Sequence, residues 1–430
     1  VATNKPPMGV YRGVARPGAC FAIERTIDEI ARAVGRDPMD VRIDNLVTPE
    51  SMPYVSVCDM RFDNGDYPES VRRVAELIDY QAVRTRQNVG EPDGRLIGVG
   101  LASFTEQSAH GAEEWVRRRT PIVAGYETAT ARLGSDGNLT LMVAIHSHGQ
   151  GMETTLAQIA HEELGIHPDD VSVRFGDTAV SPFGMGTFAS RSIVMGGGAV
   201  ANSCAKIRDK MARIAGHLLQ CEAAEVTFAG GEARGPSGSM TLAEIGRIAH
   251  LRQEQLPGGM DPVLEETATY EPGESAGVFS YATHAAVVLV DPGTGAIELA
   301  DFAVVEDCGT VVNPMIVDGQ IIGGVVQGIG TAMFEEVPYD DGGQPLATTF
   351  ADYLLPGAAD IPSIKIGHMV TPAKLTKYGM KGMGEGGAIA PAAAIANALR
   401  DAFAASGAEF NETPLTPARV RAVLERADRE

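Results

Sequence analysis

Basic residues are scarce in this chain of 430 residues: 35 Lys and Arg stand against 56 Asp and Glu, a net charge of -21. That imbalance argues against nucleic acid as the main partner and favours a chain that stays dissolved. Cysteine is scarcer still. Cys20, Cys58, Cys204, Cys221 and Cys308 stand far apart, and none forms a C-x-x-C pair. The spacing argues against an iron–sulfur cluster or structural zinc carried by this chain. An odd, sparse set fits a reducing cytoplasm. No apolar run reaches the length of a membrane span, and no signal peptide opens the sequence. Low-complexity segments, clear repeats and a Gly-Lys-Ser/Thr phosphate loop are all lacking. The opening VATNKPPMGVYRG reads as the middle of a domain. Its first valine fits a processed chain, a split gene or a start codon translated literally.

What the chain has in quantity is glycine, 50 residues, and apolar side chains, 44%. The second supports a large core in roughly two or three domains. Ile23, Ile27, Ile30 and Val34 predict a helix over 21–34, and Asp37-Pro38 starts another through 45. Further helices are expected at 70–78, behind Gly151 to about 165, and at 199–219, 242–250, 317–334, 391–404 and 417–427. RLIGVGLASF, 95–104, reads as a buried strand. Alternating runs predict hairpins from 127–133 with 139–146 and from 283–290 with 296–305. Short strands follow at 171–176 and 363–370. Residues 1–20, 48–66, 105–121 and 338–362 read as loop, and 251–275 as a connector. Strands and helices mix without a regular βαβ rhythm, so the fold class is α+β rather than a doubly wound sheet.

Four glycine-rich turns hold polar centres: Gly149-Gln150-Gly151, the stretch 186–192 with Gly196, Gln327-Gly328 with Gly330, and Gly384-Glu385-Gly386. Each alone is an ordinary turn. Together they point to one shared ligand rich in phosphates or ring heteroatoms, met by backbone N–H groups. Glu385 is the single acid of its loop and precedes an alanine-rich helix. It is open to two roles, a helix cap or a base or ligand. Arg12 and Arg16 in Tyr-Arg-Gly-x-x-Arg-Pro are either surface residues or guanidiniums held for an anion or polarised carbonyl. His146 and His148 lack a third metal ligand nearby. Cys308 has no neighbouring histidine and reads as a core residue. No acidic residue follows Gly382-x-Gly384-x-Gly386 at a second strand end, so a Rossmann site is not supported.

In this order, YRGVARP, HGQGMETTLAQIAHEELGI, GTFASRS, VVEDCGTVVNP with VQGIG, and KGMGEGG resemble the molybdenum hydroxylases, the xanthine dehydrogenase and aldehyde oxidase family, in their molybdopterin-binding subunit. The resemblance spans almost the whole chain. It implies molybdenum-binding domains of that type, with residues 1–65 ending a first domain and 66–430 forming a second. It implies Glu385 as catalytic base and Arg12 beside the substrate, stabilising negative charge. Gln150, Ala189, Ser190, Arg191, Ser192 and Gln327 would lie on the pyranopterin, with amides of Gly149, Gly151 and Gly384 near its phosphates. Phe188 would border the substrate pocket. No residue would ligate the metal directly, because the pterin holds it.

The activity implied is oxidation of an electron-poor sp² carbon, in an N-heterocycle or an aldehyde, with water as oxygen source. The cofactor would be the molybdopterin type in its cytosine dinucleotide form. A 2Fe–2S subunit and an FAD subunit would carry the electrons away. The family's large subunit begins with several hundred more residues, including a GGFGG-type loop. The chain therefore resembles the C-terminal part of a split subunit that needs an N-terminal-half partner. In the family's carbon monoxide dehydrogenases an active-site cysteine binds copper. Neither 13–15 nor GTFASRS contains one, so aerobic CO oxidation is not expected. The alternative is a non-catalytic interaction subunit that kept the fold without the cofactor.

Overall fold

The computed structural model describes residues 3–5, 9–273, 277–427 and 429. Parts of the loop expected at 1–20 and of the connector at 251–275 fall outside these. Two four-stranded sheets organise the chain, and they share a pattern: three antiparallel strands and one parallel edge strand reached through a helix. In the larger sheet, Val278–Val290 lies between Leu96–Ser108 and Ile297–Asp307. Ile364–Met369 joins its edge, parallel to Ile297–Asp307, after the helix Pro314–Met333. In the smaller sheet, Val171–Arg174 joins Leu139–Val143 after the helix Met152–Leu164. The α+β expectation therefore holds, and both expected hairpins are present.

One face of the larger sheet carries the helix Pro391–Ala402, whose residues through Arg400 are all buried. The other face carries Tyr67–Leu77 and Tyr80–Val89. The alanine-rich composition of Pro391–Ala402 explains its position. Small side chains let its backbone approach the sheet, and glycines on the facing strand let the sheet approach it. A Cβ at Gly100 would stand 2.2 Å from the Ala394 carbonyl oxygen, and one at Gly98 would stand 2.0 Å from that of Ala398. This contact fixes the start of the helix, and with it the glycine loop that precedes it.

Several elements run beyond their expected bounds. The first helix is Arg16–Ala33 and includes part of the expected loop; Pro17 sits in its first turn, where the missing N–H costs nothing. The strand predicted at 95–104 continues to Ser108, and the expected loop behind it holds the helix Ala112–Arg117. The strand predicted to end at 305 continues to Asp307. These extensions carry the buried acids Glu106 and Glu306.

Gly100→Val should force the helix off the sheet and cost about 1–3 kcal/mol in urea unfolding. Gly258→Ala should shift the midpoint little, since a Cβ there meets nothing within 4 Å.

Candidate active site

The four glycine-rich stretches converge on one cavity of about 1090 Å³, with Gln327-Gly328 lying inside the helix Pro314–Met333 rather than in a turn. Gly149, Gln150, Ala189, Ser190, Ser192, Gln327, Gly384 and Glu385 line it, as do Arg12, Phe188 and Arg191. Gly151 lies just behind the wall and caps Met152–Leu164 at φ +75, where a Cβ would sit 2.6 Å from Ile316. Helix Gly197–Leu219 is entered through a wider π-type turn, Ser192–Gly196, a distortion frequent at functional sites.

Glu385, its side chain 14% exposed, sits at the junction of three segments. Arg16 Nη1 lies 3.2 Å from its Oε2, and Arg16 Nη2 donates to the Gln107 carbonyl at 2.7 Å. The backbone amides of Gly13 and Ala189 also reach the carboxylate. Both residues have positive φ, +94 and +50, which turns their N–H groups toward it. Burial raises the Glu385 carboxyl above its ordinary value, while Arg16 and these amides pull it back.

Arg12 acts as a clamp. Its Nε donates to Gly384 O at 2.6 Å, Nη1 to Gln327 Oε1 at 3.0 Å, and Nη2 to Gln320 O and Oε1 at 2.9 and 3.2 Å. Three distant segments are joined by one side chain. Other expected ligand residues are also engaged by protein. Gln150 accepts from His148 N–H and donates to His146 O, bracing its own turn. Arg191 pairs with buried Glu127, donates to Gly186 O, and stacks on Phe188 at 5.0 Å. Ser192 donates to Thr187, and Ser190 to Glu106. Among the described residues no group of His, Cys, Asp or Glu is placed to hold a metal ion. Among the described residues Cys308 is the one cysteine on the cavity wall, and burial pushes its thiol up to about 12.

Sequence reasoning left four contributors without a role. Trp115 and His110 form an aromatic wall with Phe188; ring centroids lie 5.3 Å apart for His110–Trp115 and 5.9 Å for Trp115–Phe188. They sit in a stretch whose polarity reads as loop. Glu106 and Glu306 lie behind Glu385. Both are fully buried, and no described group bonds to either Glu306 oxygen. A Cβ on Gly386 would meet Glu306 Oε1 at 2.3 Å, so the turn that carries Glu385 rests directly on this acid.

Residues 73–362 match the family model described as a molybdopterin cofactor-binding domain, and residues 1–46 match a second of that description. The chain belongs to the molybdopterin cofactor-binding family. This molybdopterin-binding chain is 34% identical to the nicotine 6-hydroxylase large subunit of Paenarthrobacter nicotinovorans, over 97% of its own length and 51% of the relative's. It is 32% identical to the carbon monoxide dehydrogenase large chain of Hydrogenophaga pseudoflava, over 98% and 52%. Its fold matches quinoline 2-oxidoreductase from Pseudomonas putida 86 with a TM-score of 0.93 at 37% identity, covering 98% of this chain and 54% of that one. The chain spans about half the length of the curated relatives it matches. The cavity fits a molybdopterin in its chemistry: a Cβ at Gly149 would meet nothing within 4 Å, leaving that backbone open to a ligand.

Two outcomes follow for stability. Lys381 and Asp307 are both fully buried and 2.7 Å apart, so Lys381→Met strands a buried carboxylate. Denaturant titration should show a loss of about 3–5 kcal/mol. The second outcome is a pH optimum. Burial holds His110 and His284 down to about 3, with Arg118 adding to the effect at His110. Burial also holds Glu106 up to about 8 and Glu306 well above the carboxylate range, the neighbouring carboxylate reinforcing each. Below the ordinary histidine value of 6.5 the unfolded chain takes up protons that the folded imidazoles refuse, so stability falls as pH drops. Above the ordinary glutamate value of 4.5 the unfolded chain releases protons that the folded acids keep, so stability falls as pH rises. The thermal midpoint should therefore peak between about pH 4.5 and 6.5 and decline toward pH 8. A midpoint that climbs steadily from pH 6.5 to 8 contradicts this assignment.

Proposed function

We propose that the chain is the catalytic half of a molybdenum hydroxylase large subunit that oxidises an electron-poor ring carbon in an N-heteroaromatic substrate. The observation that carries this is Glu385: a half-sheltered carboxylate at the wall of a large cavity, held by donors and raised in proton affinity by burial. The flat walls of Trp115 and Phe188 favour an aromatic ring over a small aldehyde. The names of two relatives, nicotine 6-hydroxylase and quinoline 2-oxidoreductase, support the same substrate class.

When bound, a molybdenum cofactor supplies Lewis acidity and an electron sink. The chain's own residues do the rest. Glu385 accepts a proton at its carboxylate. The amides of Gly13 and Ala189 and the Arg16 guanidinium hold that carboxylate in one orientation. Arg12 fixes the Gly384 peptide and, of its five N–H groups, keeps one on Nη1 without a partner among the described residues, in position to meet negative charge on substrate. Gln150, Gln327, Ser190, Ser192 and the glycine amides at 149, 151 and 384 shape the seat of the pterin. The cytosine dinucleotide form of the cofactor belongs to this proposal, as do an N-terminal-half chain, a 2Fe–2S subunit and an FAD subunit. So does a domain division near residue 65, which falls between the two matched segments.

Elemental analysis of the chain produced with a chain supplying the other half should find stoichiometric molybdenum. Absence of molybdenum despite a competent cofactor supply would overturn the proposal in favour of an interaction subunit. In the assembled enzyme Glu385→Gln should lower kcat on the order of 10²–10⁴-fold with molybdenum content unchanged. Trp115→Ala should raise KM for a heteroaromatic substrate more than it lowers kcat.

A further inference from the structure

Behind Glu385 stands a second acid that the proposed reaction leaves without a role. Glu106 lies at the end of Leu96–Ser108 and is fully buried. Its Oε1 accepts the Ser190 hydroxyl, and Ser190 Oγ accepts the backbone N–H of Glu385 at 3.0 Å. One serine therefore ties the Glu106 carboxyl to the backbone of Glu385. Their surroundings differ in kind. Glu385 faces a guanidinium at 3.2 Å and two backbone amides, a set of donors that stabilises an anion. Glu106 has one hydroxyl donor, and its Oε2 has no hydrogen-bond partner among the described residues. A bare, buried carboxyl oxygen favours the neutral acid.

The neighbouring charges are few. Glu306 extends from the same face of the sheet: Ser280 pairs with Glu106 and Ala282 with Glu306, and alternate residues of one strand share a face. Arg12 and Arg16 are the cations that act on Glu106. Asp307 pairs with Tyr281, on the opposite face, and is matched by Lys381. Two guanidiniums thus serve three carboxyl groups, and two acids this close do not both ionise cheaply.

We propose that Glu106 is a positioning residue, held as the neutral acid behind the loop so that the negative charge of the pair rests on Glu385 and leaves it ready to accept a proton. The proposal rests on Glu385 being the base. When Glu385 accepts a proton it becomes neutral, and its charge no longer opposes ionisation of Glu106. Burial followed by the charge of Glu385 accounts for the rise of Glu106 to about 8.

Infrared difference spectroscopy of the full chain across pH reads this directly, through the carbonyl stretch of a protonated carboxyl group. The wild type should show such a band at neutral pH that disappears near pH 8. Glu106→Gln should remove it. Glu385→Gln should keep it and shift its midpoint to lower pH by about one unit, because the opposing charge is gone. A midpoint unmoved in Glu385→Gln, or no titrating band at all, overturns the coupling. Glu385→Gln decides the question even if Glu106→Gln does not fold. Turnover retained in Glu385→Gln would overturn the base assignment instead, and the infrared result would stand apart from it.

Discussion

The site depends on one buried ion pair. Lys381 Nζ donates to Asp307 Oδ2 at 2.7 Å, to Asn64 Oδ1 at 2.7 Å and to Thr371 Oγ1 at 3.1 Å, and it lies over the Tyr281 ring. The other oxygen of Asp307 accepts the Thr371 amide. The backbone N–H of Lys381 donates to Cys308 O at 2.9 Å. The end of a core strand is thereby tied to the start of the glycine loop. A buried ion pair contributes little net stability against an apolar replacement of the same shape, but a half-removed pair is costly. The interaction therefore fixes a register: the turn that carries Glu385 begins from an anchored point.

From that anchor the turn is shaped by backbone conformations that most residues avoid. Gly13, Ala189 and Ser190 all have positive φ. For alanine and serine this is unfavourable and persists only where the surroundings enforce it. Here the surroundings do so through close packing: a Cβ at Gly382 would lie 1.7 Å from the Ser190 carbonyl oxygen. The return is an arrangement of amides around one carboxylate, set before any ligand arrives.

Much of this was legible in the residues. Glycine punctuation located the four stretches of the cavity wall, because close backbone approach needs glycine, although the one at Gln327-Gly328 lies within a helix. The Asp37-Pro38 signal located a helix start, because side-chain capping and proline geometry are local effects, whereas the helix expected from 317 begins three residues earlier at Pro314. The acids behind the site were hidden for the opposite reason. Glu106 lies in Thr-Glu-Gln-Ser, and a polar run at a strand end reads as loop unless its neighbours in space are known. Glu306 sat in a recognised motif, yet its burial depends on Gly386, far along the chain. The clamp role of Arg12 was hidden too, since its partners come from helix Pro314–Met333 and from Gly384.

The same separation has a temporal side. Arg12 and Gly384, hydrogen-bonded in the folded chain, are 372 positions apart. A chain emerging from the ribosome carries one wall of this cavity long before the other exists. Until Glu385 and the helix behind it have been made, Arg12 lacks its Gly384 acceptor and Arg16 its carboxylate partner. The hydrogen bonds that join the two ends of the cavity wall therefore form only once Gly384 and Glu385 have been made.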